Sequence, residues 1–175
     1  MDSNPTFSFR FYYHTMDKMV AEPRHFFNEL PVDIGLMKPL CFLIVSSLIF
    51  TGAIAVIGLP VMSFYLGSIF FINAVGMALI ASGLGYLVMI LLLGRSVSYK
   101  RFFSIYAFSS GTTLLVAWIP FSIWFTEPWK WWLIGTGLSR SCGFKPWQII
   151  VTIGLSLVIM FLFFWAALPR VLPLN

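Results

Sequence analysis

From Pro39 to Gly94 the chain carries no Asp, Glu, Lys, Arg or His. A helical crossing of a bilayer takes about 20 apolar residues, so this stretch is long enough for two. Gly58-Leu59-Pro60 and then Gly67 interrupt it, because glycine and proline punctuate helical patterns. Apolar runs separated by short polar links continue to the end of the chain. They predict transmembrane helices at about 38–59, 67–93, 103–120, 129–141 and 147–168. The second run exceeds what the hydrocarbon needs, which predicts tilt or protrusion. The fourth is the least regular. Pro120 and Pro128 fall near Trp124, Trp129, Trp131 and Trp132, and tryptophan gathers at the membrane–water boundary. If Pro120 only kinks the chain, that helix starts earlier, within 119–125. The expected fold is all-α: a polytopic transmembrane bundle over 38–175, preceded by a cytoplasmic or interfacial segment over 1–37.

The segment before the bundle is polar and aromatic. Residues 1–15 read as unstructured or lying on the membrane surface. Residues 16–30 read as two short helices, the first capped by Asp17 and the second opened by Pro23, since proline suits a first helical turn. Phe26, Phe27 and Leu30 share one face of the second helix, away from Arg24 and His25. Either the helix lies in the interface with its aromatics down, or it packs on the cytoplasmic end of the bundle. Leu30-Pro31 ends it.

Within the second run, Ala74, Ala78, Ser82 and Gly85 recur at spacings of four, four and three. Small residues let a neighbouring backbone approach closely in lipid, so this face is expected to be the central packing contact. The third run holds Ser109-Ser110-Gly111-Thr112-Thr113, hydroxyls that bond within a helix or across to a neighbour. Asn73 and Gln148 are the amides of the spans.

Composition agrees with a membrane protein. Residues are 59% hydrophobic and 10% charged, with a mean hydropathy of +0.92, against roughly 25% charged in soluble domains. The first apolar run starts near Leu40, too late for a cleavable signal peptide. The net charge of +5 reads as topology rather than nucleic-acid binding. With the N-terminus in the cytoplasm and five crossings, Arg10, Lys18, Arg24, Lys38, Arg95, Lys100, Arg101, Arg140 and Lys145 are cytoplasmic. Only Lys130 and Arg170 lie opposite. This is the asymmetry that the positive-inside rule demands, and it places the C-terminus outside. Dropping the fourth crossing would move Arg140 and Lys145 to the wrong side.

Candidate chemistry is sparse. Cys41 and Cys142 make no disulfide framework, and His14 and His25 have no metal-ligand spacing. No metal and no cofactor are expected. The acidic residues are Asp2, Asp17, Glu22, Glu29 and Asp33 before the first span, and Glu127 on the far side. No acid–base pair converges, so an enzyme is not expected.

Pro23, Arg24, Phe26, Phe27, Leu30 and Pro31 form the pattern Pro-Arg-x-Phe-Phe-x-x-Leu-Pro ahead of five spans with basic links. This resembles the Yip family, the Ypt-interacting-protein domain. The stretch from Asp33 to Leu40 and the Trp-x-x-Gly-x-Gly-Leu pattern from Trp132 to Leu138 are similar to its first-span entry and fourth helix. The resemblance covers roughly residues 19–169. Eukaryotic members are linked to Rab-type GTPases. The short loops here look prokaryotic, which implies the inner membrane of a bacterium and an organising role without that partner.

The leading expectation is a non-enzymatic membrane protein that organises, recruits or serves as an accessory subunit. Its partners would be membrane lipid and a protein in the membrane or at the cytoplasmic face, with self-association a further option and no nucleic acid. Candidate interaction or lipid contacts are Pro23, Arg24, Phe26, Phe27, Arg95, Lys100 and Arg101. The alternative is a transporter or channel for a neutral solute or lipid. No intramembrane carboxylate and no internal repeat support it.

Overall fold

The computed structural model describes residues 8–31, 34–57, 64–94 and 97–171. Among these residues the regular structure is seven α-helices: α1 (Phe9–Ala21), α2 (Pro23–Asn28), α3 (Met37–Ile57), α4 (Phe64–Leu93), α5 (Tyr99–Ala117), α6 (Ile123–Cys142) and α7 (Pro146–Val171). The chain is therefore all-α, as its pattern predicts.

The start of the chain is more helical than its pattern predicts. Asp17 does not cap α1 but lies well inside it. Ser8 takes that place, accepting a hydrogen bond from the Arg10 amide at 3.3 Å. Tyr12, Thr15 and Met19, at helical spacing, give α1 a buried face, and that packing extends the helix back to Phe9. Pro23 opens α2. Glu22 before it adopts φ −138°, ψ 62°, because the proline ring disfavours the helical region for its predecessor.

Helix starts differ from the predicted spans in α4, α5 and α6. Gly67 lies inside α4, where the apolar run outweighs one glycine near the helix start; Gly58-Leu59-Pro60 lies outside the described residues. Helix α5 begins at Tyr99 rather than near 103, because Tyr99 and Phe102 pack on Tyr86 of α4 with ring centroids 5.1 and 5.8 Å apart. Helix α6 begins at Ile123 rather than 129, with Pro128 accommodated inside it. Proline removes one backbone donor, and membrane helices tolerate that where local contacts make good the freed groups. Between α5 and α6 the chain turns at Phe121, whose φ of 65° is rare for a bulky residue. Ser122 Oγ closes that turn by donating to the Val116 carbonyl at 3.0 Å.

Helix α5 is the centre of the bundle. It packs against α3, α4, α6 and α1, while α7 lies on α4 and α2 on α6. From Phe102 to Ser109 every side chain of α5 is buried. The small-residue face of α4 meets it: Ala78, Ser82 and Gly85 are buried and Ala74 is half-buried. At Gly85 an added Cβ would fall 2.7 Å from the Tyr106 hydroxyl and 3.2 Å from the Phe102 ring, so this close approach needs glycine. The helix at the middle of the bundle is α5, and the small-residue face of α4 is one of the surfaces that pack on it.

Among the described residues, three helices are long and apolar enough to cross a membrane: α3, α4 and α7 over Pro146–Phe163. Only 22%, 28% and 17% of their apolar windows is buried, so most of that surface faces outward. A soluble protein would hide it. Helices α5 and α6 are more polar, carrying hydroxyls and the charged residues Lys100 and Arg101 on α5 and Glu127, Lys130 and Arg140 on α6.

Candidate functional site

The bundle has a filled end and a hollow end. At the filled end α1 and α2 form a cap. Phe27 sits in a notch at Gly137 of α6, where an added Cβ would lie 3.0 Å from its ring and would collide with Ile105. Ser141 Oγ donates to the Phe27 carbonyl at 2.6 Å and pins α2 to α6. Phe26 meets Phe108 edge-on at 5.3 Å, Phe108 meets Phe42 at 5.3 Å, and Phe42 meets Tyr12 at 4.9 Å. The Tyr12 hydroxyl and Ser46 Oγ share a hydrogen bond of 3.0 Å. Aromatic pairs of this geometry contribute about 0.5–1.5 kcal/mol each beyond burial, so the cap belongs to the fold.

This settles which way the α2 aromatics point. Phe26 and Phe27 are 5% and 0% exposed and face α5 and α6. They form no outward lipid-contacting face, because Gly137 and Phe108 offer them a better-matched protein surface. Pro23 is half-buried, Arg24 and Lys100 are exposed, Arg101 is half-buried, and Arg95 lies outside the described residues.

The outer side of α1 carries a feature that residue-level reading of 1–15 passed over. Phe9, Tyr13 and Val20 are exposed and separated by four and seven residues, which aligns them along one stripe. Helical spacing in the sequence contains that signal. Arg10 is exposed on its flank, and Arg24 follows on α2. Helices α3 to α7 alternate in direction, so Lys38, Lys100, Arg140 and Lys145 gather at this same end. Lys38 Nζ lies 5.5 Å from the Phe11 ring centre. Lys18 Nζ bonds Glu29 at 2.8 Å and His25 Nδ1 lies 3.5 Å from the same carboxylate. The Lys18 hydrogen bond, helped by the charges of His25 and Lys18, holds the Glu29 carboxyl below its usual range.

At the hollow end a cavity of about 400 Å³ lies between α4, α5, α6 and α7. Small and flexible side chains line it: Ala74, Met77 and Ala81 from α4, Ala117 from α5, Leu157 and Met160 from α7. Ser110, Thr113 and Asn73 are brought together in its wall with Thr126 of α6. Glu127 and Lys130 complete it, bonded to each other at 2.5 Å, with Lys130 Nζ 5.2 Å from the Trp131 ring centre. Tyr106 lines the inner end, and its hydroxyl, turned toward Gly85, has no hydrogen-bond partner among the described residues. Gln148, the other amide, is not in this wall; its Oε1 accepts from the Lys145 amide at 3.0 Å.

A family model, described as the Yip1 domain, matches residues 18–168. That range runs from the C-terminal part of α1 through α7 and includes the Phe27 notch, the basic end and the cavity. No curated protein matches the chain, and no solved structure matches it.

Proposed function

Since the chain belongs to the Yip1 domain family, we propose that it is a five-span, non-enzymatic membrane protein that organises an assembly by recruiting a protein partner at its basic end. The observation that carries this reading is the outward stripe of Phe9, Tyr13 and Val20, held on a helix whose neighbouring face, Tyr12, Thr15 and Met19, is locked into the bundle. A formed aromatic face beside exposed Arg10 and Arg24 suits an acidic, partly apolar partner segment, because aromatic and Arg side chains dominate interface energetics. The basic end is cytoplasmic under the positive-inside rule. A bacterial inner membrane, with the N-terminus in and the C-terminus out, fits this charge distribution.

Crosslinking in native membranes, affinity purification and mass spectrometry test the proposal. The triple variant Phe9→Ala, Tyr13→Ala, Arg24→Ala should lose a partner that the wild-type chain retains, while its melting profile stays the same. An unchanged set of partners would overturn it.

The cavity favours a second reading, passage or handling of a neutral solute or lipid. Solute flux or lipid scrambling in reconstituted vesicles above the protein-free rate would support it.

A further inference from the structure

The cavity has a chemistry more specific than its size. Its volume falls within the range of about 300–1,000 Å³ seen in small-molecule sites. Glu127 and Lys130 place one negative and one positive charge side by side at its wall, 46% and 22% exposed. A simple anion would meet Lys130 but be repelled by Glu127, and a simple cation the reverse. A group carrying both charges a few ångströms apart satisfies both. The tryptophans around the pair, Trp124 and Trp132 exposed and Trp129 and Trp131 half-buried, mark headgroup depth.

Deeper in the cavity the chemistry changes in order. Thr113 and Ser110 supply hydroxyls on α5, with Asn73 across from them on α4. One helical turn below Ser110, about 6 Å along the axis, stands Tyr106. Its ring closes the inner end of the cavity, and its hydroxyl turns away toward Gly85 of α4. Alanine, methionine, leucine and isoleucine side chains, with Thr126 and Trp131, form the rest of the wall.

We propose that this cavity binds a zwitterionic phospholipid, phosphatidylethanolamine in kind. The lipid ammonium pairs with Glu127 and its phosphate with Lys130. The glycerol-ester region lies along Thr113, Ser110 and Asn73. This site is independent of recruitment at the opposite end, so either can fail without the other.

The protein is reconstituted in nanodiscs containing equal parts phosphatidylethanolamine and phosphatidylglycerol, one of them brominated in its acyl chains, and tryptophan quenching is read. Lipids retained after mild detergent extraction are counted by native mass spectrometry. The wild-type chain should retain phosphatidylethanolamine over phosphatidylglycerol by ~10-fold, the value of one charge-assisted hydrogen bond. Glu127→Gln should abolish the preference, because both lipids carry the phosphate and only phosphatidylethanolamine carries the ammonium. Ala117→Leu, which fills the cavity without touching the ion pair, should abolish it with the melting profile retained, and decides the matter if Glu127→Gln does not fold. Equal retention of the two lipids by the wild-type chain, or a preference surviving both variants, would overturn the proposal. So would displacement of the lipid by millimolar soluble phosphoethanolamine, which would assign the site to a free zwitterion.

Discussion

The two ends of α5 pack in opposite ways. Toward the cap, Phe102, Ile105 and Phe108 interlock with Phe26, Phe27 and Phe42, and glycines at 85, 111 and 137 give those rings room. Toward the other end, alanines and hydroxyls face a cavity. The same helix thus anchors a close-packed half and borders a hollow one. Dense packing leaves no room for a ligand and makes each methylene count. A hollow lined with polar groups gives up that stability and gains a place where something else can bind. The bundle concentrates its rigidity where α1 must be held with its outer stripe in a fixed position.

Mutations that add or remove volume sharpen this contrast. Phe27→Ala should have the largest effect, lowering stability in detergent by about 3–5 kcal/mol through the emptied notch. Limited proteolysis should then cut within residues 9–30. An unchanged melting profile would mean that the cap is not part of the folded core. Gly111→Leu should cost about 1–3 kcal/mol or more, because an added Cβ already falls 2.7 Å from the Phe42 ring. Ala78→Leu should cost less than Gly111→Leu. Ala78 packs with Leu43, Phe103 and Ala107, yet it also borders the cavity, which can take part of the added volume. Equal losses at positions 78 and 111 would show that the hollow end is filled as tightly as the other.

The smallest effect concerns the exposed Lys18–Glu29 pair. Its carboxyl is held below the usual value of 4.5, so its contribution is present above that pH and lost as pH falls through the lowered value. Proteolysis at the α1–α2 junction should rise modestly below about pH 4.5 in the wild-type chain. Glu29→Gln should remove that pH dependence. A junction equally resistant at pH 7 and pH 3 would show that the pair contributes nothing to holding the cap.

Much of the architecture was legible in the sequence. The uncharged run before Arg95 announced membrane helices, Pro23 announced the start of α2, and Gly143, which ends α6 at φ 65°, stood in a polar link. What the sequence concealed depended on partners distant in the chain. Phe26 and Phe27 share a face in either orientation, and only Gly137 and Phe108 decide that they point inward. Tyr99 joins α5 because Tyr86 waits on α4. The cavity was hidden for the same reason: Asn73, Ser110, Thr126 and Lys130 lie on three helices, and no spacing within one segment reveals that they meet. Glu127 looked isolated because its partner lies one turn along a helix whose start the prolines obscured.

Hydrogen exchange of the chain in nanodiscs tests most directly whether the cap is built into the core. The amides of α2 and of the inner face of α1 should open only with global unfolding, alongside those of 102–109 in α5. Rapid exchange throughout 9–30, with α5 still protected, would contradict the account: the cap would be a loose appendage, and its outer stripe would not be a fixed surface.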